Sequence, residues 1–247
     1  MGIIGFTAFF IWMIILILLS FLVDYLLASI FRHGGHKFFV RLGVIVHELS
    51  HATACLLTFT KIKEIKLFED TGGHVTHEKR NSLIMSIIGM APLFGCSLFL
   101  LFLVWLFGYV GVEFFTSGLI LGNTDSFADS FIGLFEVTGK IFWENVVVNF
   151  GVITIFFLIF LYMIGSVAAT IAPSGTDLKN AILGLVILAC FGYLAVIFHP
   201  LSYIPGIEAD TPVLDFIVEK LMIAIGIGLI GVFVILAVLV PVAILKK

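Results

Sequence analysis

The stretch VHELSHATACLL, Val46–Leu57, sets two histidines and a glutamate into a run that is otherwise small and apolar. Its reading decides the fold, because a soluble helix and a membrane span of this composition belong to different kinds of protein. The flanking basic residues, Arg41 and Lys61, each stand ten positions from His51. Twenty residues of helix cover about 30 Å, the thickness of a bilayer's hydrocarbon core. His51 therefore falls near the middle of a spanning helix, where ionisable groups cost most.

The composition agrees with a membrane span. Of 247 residues, 61% are hydrophobic and 12% charged, against about 45–50% and about 25% in a soluble domain. The fold class expected is an all-α polytopic membrane protein in contact with the lipid bilayer. Six segments are apolar enough to cross, near residues 3–30, 42–60, 82–109, 146–171, 179–199 and 213–244. The first is kept as a span: it lacks a basic leading region, and its apolar run exceeds the 7–15 residues of a secretory signal. A net charge of −3 presents no basic face to nucleic acid. Cys55, Cys96 and Cys190 all lie in apolar segments and read as small buried hydrophobes, not a disulfide framework.

Residues 1–247 form a single domain in this reading. It comprises a first span and loop (1–41), a segment carrying the histidines (42–109), an acidic extramembrane insert (110–145), two spans flanking an interruption (146–199), and a last loop and span (200–247). KIKEIKLFEDTGGHVTHEKR, 61–80, is polar, with β-branched residues on either side of Gly72-Gly73, and predicts a β-hairpin. The insert, with Asp125, Asp129, Glu136 and Glu144, predicts amphipathic, interfacial structure. APSGTDL, 172–178, is a Pro/Gly interruption. With the N-terminus in the cytoplasm, eight of the thirteen basic residues fall inside, although Arg32, Lys37 and Arg41 fall outside. Both termini are then cytoplasmic.

His47 and His51 are four apart and share one face of a helix. Two such imidazoles can chelate one metal, and Glu48, about 100° round the helix, can move a proton for a water held there. An intramembrane Glu with two His is expensive unless paired, and a metal makes the placement tolerable. A catalytic zinc takes three protein ligands and keeps a fourth position open. Asp24, Glu144 and Asp177 are the acidic residues in apolar surroundings. Asp177 is favoured because Pro173 and Gly175 break the helix before it, letting its side chain turn inward. The competing reading of Asp177 is an ordinary helix cap.

The HELSHA run (His47 to Ala52), the hairpin, IIGMAPLFGCSLFLLF (Ile87 to Phe102) and the downstream PSGTD (Pro173 to Asp177) together resemble the site-2 protease family of intramembrane zinc metalloproteases. The resemblance covers roughly residues 42–190. It implies one zinc per chain held by His47, His51 and Asp177, with Glu48 as the catalytic acid and base. It also implies cleavage of a transmembrane protein substrate within the bilayer, near the cytoplasmic side.

Several features have blander readings. The hairpin edge is suited to pair with an unwound substrate, or it is a solvated turn. Cys55, one turn beyond His51, reads as packing. His74 and His77, three apart on a strand, point to opposite faces and do not make a shared ligand pair. Asn149, Ser174 and Asn180 are candidates to orient substrate or the Asp177 carboxylate. Two other functions stay open: a prenyl-protein-type membrane zinc protease using Glu144, and a non-catalytic metal-binding or transport protein. No internal repeat is visible, which counts against a transporter. Substrate identity and oligomeric state are not written in the sequence.

Overall fold

The structure, a computed structural model, describes residues 3–31, 36–67, 73–115, 127–172, 175–198 and 212–245. In chain order these form α1 (Ile3–Ile30), α2 (His36–Leu57), strands β1 (Ile62–Lys66) and β2 (His74–His77), α3 (Ser82–Gly108) and α4 (Phe127–Phe142). A π-helical turn (Trp143–Val148), α5 (Val152–Ala169), α6 (Gly175–Phe198) and α7 (Pro212–Leu245) complete the described residues. All of these helices except α4 are long and apolar enough to cross a membrane, six in all. The expected all-α membrane class with one small hairpin holds.

The span boundaries move at three places. α2 starts at His36 rather than 42, with Lys37 and Arg41 inside the helix. α5 starts at Val152 rather than 146. The preceding residues wind into the π turn, and Gly151 follows with φ +126°, a backbone conformation open to glycine. The turn is tied down by Asn145, fully buried, whose amide donates to the Glu113 and Ile141 carbonyls and accepts from Glu113 N–H. α6 starts at Gly175 rather than 179, so Asp177 lies in the first helical turn, where the helix dipole favours a carboxylate.

α7 is the central post. Met222 to Val232 are buried without interruption, as expected of a helix apolar all round. It meets α5 where small residues let backbones approach: a Cβ added to Gly231 would stand 3.0 Å from the Ile164 carbonyl. α2 crosses α5 in the same way. The Gly43 N–H donates to Ser166 Oγ at 3.0 Å, and any side chain at 43 would overlap the Ser166 carbonyl and the Thr170 hydroxyl. α3 lies between α2 and α6 and packs on both. Of the three cysteines, Cys55 and Cys96 are buried as expected, whereas Cys190 is exposed on α6.

The hairpin forms as read, antiparallel, with Ile65 opposite Val75 and Lys66 opposite His74. Its tip, including Gly72, lies outside the described residues. α2 ends with Thr60 N–H bonded to the Cys55 carbonyl and Phe59 at φ 51°, a left-handed turn that reverses the chain. β1 then runs back alongside α2, and β2 returns toward the end of that helix. Gly73 rests against Glu48 and Val44: a Cβ there would stand 2.7 Å from Glu48 Cγ. Glu48 and Val44 lie nine and thirteen residues before the end of α2, about 14 and 20 Å along its axis. The described part of the hairpin therefore lies back along the helix toward its middle. α3 starts at the N-cap Asn81, whose Oδ1 accepts from Ile84 N–H at 2.9 Å.

Candidate metal centre

His47, Glu48 and His51 are 8%, 8% and 6% exposed. They occupy the part of α2 that faces α3, α5 and α6. The two imidazole rings meet edge to face with centroids 5.0 Å apart.

Each ring is held through its Nδ1 atom. His47 Nδ1 lies 2.7 Å from the Thr170 carbonyl and His51 Nδ1 lies 2.9 Å from the Ile88 carbonyl. A carbonyl only accepts, so both Nδ1 atoms carry a proton, and in the neutral rings both Nε2 atoms present a lone pair. This is the arrangement that metal-ligating histidines show, with the second nitrogen fixed by a backbone or carboxylate partner. The chain frees those carbonyls by identifiable means. Ile88 O would ordinarily accept from residue 92, but Pro92 has no N–H. Thr170 is the C-cap of α5, so its carbonyl lies past the last helical bond.

Asp177 completes the group from α6. Its Oδ2 is 3.7 Å from His47 Nε2 and 3.4 Å from His51 Nε2. Charge-assisted hydrogen bonds are shorter, about 2.7–2.9 Å. Ligands on a tetrahedral zinc with bonds of about 2.0–2.2 Å stand about 3.3–3.6 Å apart. The spacing fits a shared cation better than a direct imidazole–carboxylate bond. The ligand atoms of His47, His51 and Asp177 all fall within 4.8 Å of one another, and no other such group of three occurs among the described residues. The donor set of two imidazoles and one carboxylate suits zinc.

α6 approaches α3 closely enough to deliver Asp177 only because position 89 is glycine. A Cβ there would stand 2.9 Å from both the Asp177 carbonyl oxygen and Asn180 Cβ. Gly89→Ala must therefore push the first turn of α6 away from α3. The expected result is an about 10–100-fold loss of zinc affinity, comparable with loss of an outer-shell partner. Chelator competition on purified protein measures it, and unchanged affinity would show that α6 can adjust without moving Asp177.

The other singled-out residues separate. Asn180 stands one turn beyond Asp177, against Gly89. Asn149 does not reach the centre: it precedes α5, whereas Thr170 follows that 18-residue helix, about 27 Å away along its axis. It is not brought to His47, His51 and Asp177. Ser174 lies outside the described residues. Glu144 sits in the π turn at the far end of α5 and is absent from the ligand group. Cys55 packs with Ala54 and Ile88. His74 faces Glu64 at 4.0 Å and His77 Nδ1 donates to the Glu78 carbonyl, so they form no pair. The residues that sequence reasoning missed are those whose backbone serves the site, Ile88 and Thr170. A proline four positions on was the available signal for Ile88.

The family model described as Peptidase M50B-like matches residues 11–245. The chain belongs to the peptidase M50B-like family. This is a site-2 protease family, so the resemblance drawn from the HELSHA run and its companions holds. Peptidases of the M50 group are zinc proteases, and six apolar helices agree with an integral membrane protease. No curated protein and no solved structure matches the chain.

Proposed function

We propose that this M50B-like protein is a zinc-dependent endopeptidase that cleaves transmembrane protein substrates within or beside their membrane helices. The observation that carries the reading is the convergence of His47, His51 and Asp177, with both Nδ1 atoms pinned to carbonyls, inside spans α2 and α6. His47, His51 and Asp177 hold one zinc per chain, which supplies Lewis-acid activation of a water and a peptide carbonyl. Glu48, adjacent to His47 on the same helix, takes the proton from the attacking water. It returns that proton to the amine nitrogen as the C–N bond breaks.

The β1–β2 hairpin lies over Glu48 and is proposed to hold an unwound substrate segment extended by strand pairing. The basic hairpin residues Lys61, Lys63, Lys66, Lys79 and Arg80 favour the cytoplasmic side for this end of the molecule, with both termini on that side.

The test is cleavage of tagged single-span peptides in proteoliposomes, with products sequenced. Expected are cuts within or next to the span, abolished by a zinc chelator and restored by added zinc. Chelator-insensitive cleavage would remove zinc from the mechanism. Cuts confined to distant soluble flanks would remove its intramembrane character. Labelling of a cysteine placed at Lys63 from one side of sealed vesicles checks the orientation.

A further inference from the structure

The end of α5 leaves two backbone groups without their usual helical partners. Ala169 O would accept from position 173, which is proline and has no N–H. Ala172 lies past the C-cap Thr170, so its N–H makes no helical bond to Ala168 O. Both are met by one side chain from the other end of the sequence. Ser20, at 0% exposure in the middle of α1, donates from Oγ to Ala169 O at 2.8 Å and accepts from Ala172 N–H at 3.3 Å.

Two other buried serines behave differently. Ser50 and Ser97 return their hydroxyls to their own helices, at Val46 O and Leu93 O. Ser20 crosses 149 positions of sequence instead. The two atoms it grips bracket Thr170, whose carbonyl orients His47. They also mark the last described turn before α6 and Asp177.

We propose that Ser20 is a positioning residue of the metal centre: from α1 it clamps the α5–α6 break, so that the Thr170 carbonyl holds His47 and the chain enters α6 with Asp177 in place. This rests on the zinc reading above. It assigns α1, which supplies no ligand, a direct part in the geometry of the site. Without the hydroxyl, the Thr170 peptide keeps the long Ile171 N–H to Ala168 carbonyl bond but loses the anchors on either side of it, so the carbonyl that fixes His47 loosens and Asp177 with it.

The experiment compares wild type, Ser20→Ala and Ser97→Ala, each purified in detergent with its melting temperature recorded. Zinc affinity is read by chelator competition, and the ligand field by visible absorption of the cobalt-loaded protein. Ser20→Ala is expected to bind zinc about 10–100-fold more weakly and to shift the cobalt bands, while Ser97→Ala matches wild type in both. Affinity and spectrum of Ser20→Ala equal to wild type would overturn the inference and leave the zinc site standing. Failure of wild type itself to bind either metal overturns the zinc reading, and this inference with it. Equal losses in Ser20→Ala and Ser97→Ala would also overturn it, since packing alone would then account for them. Should Ser20→Ala not fold, Ser20→Cys keeps the volume with a weaker donor, and wild-type affinity in that variant is the overturning result.

Discussion

Glu48→Gln is expected to keep its zinc and lose cleavage by about 10²–10⁴-fold, the contribution of a positioned general acid and base. The amide has the size and shape of the carboxylate, so packing beneath Gly73 is preserved. It cannot accept the proton from water or return one to the leaving nitrogen. Glu48 is also outside the group of three whose ligand atoms converge, so its loss leaves the metal's holders intact. Zinc content and single-turnover cleavage on the same preparation check this. Cleavage within about threefold of wild type would assign the proton transfer to another group. Loss of zinc would make Glu48 a ligand.

Asp177→Ala carries the second large effect. Removing its carboxylate leaves two imidazoles, too few for a stable catalytic zinc. Zinc content is expected to fall from near one per chain to near zero after dialysis. The drop in affinity should exceed the about 10–100-fold typical of an outer-shell partner. Glu144→Ala, at the far end of α5, should leave zinc content unchanged. This pair of variants discriminates between readings. Zinc kept in Asp177→Ala and lost in Glu144→Ala would restore the prenyl-protein-type arrangement. Zinc lost in neither would leave the third ligand unassigned.

How legible these features were depends on the kind of interaction involved. The HELSH pentad was readable because helical spacing alone puts His47 and His51 on one face, and because an ionisable cluster in an apolar span is costly without a partner. The hairpin was readable because β-branched residues alternate around Gly72-Gly73. Its return along α2 was not. That depends on Gly73 meeting Glu48 and Val44, a contact between segments that no local pattern encodes. The place of Asn149 was not readable for the same reason. An amide in an apolar neighbourhood carries no mark of the membrane face it belongs to, and the 18 residues of α5 decided that.

The sequence by itself determined the membrane class, the spans to within six residues, the hairpin, and the candidates for ligand and base. Each follows from properties that act locally: hydropathy, helical period, turn chemistry and the cost of charge in lipid. Only the tertiary structure decided that Asp177 rather than Glu144 meets the two histidines. It alone showed that the Ile88 and Thr170 carbonyls set their tautomers, and that Gly43 and Gly89 bring the helices close enough to do so. Those outcomes turn on contacts between residues 37 to 130 positions apart. Distances across packed helices of a few tenths of an ångström govern them, and no one-dimensional pattern records those.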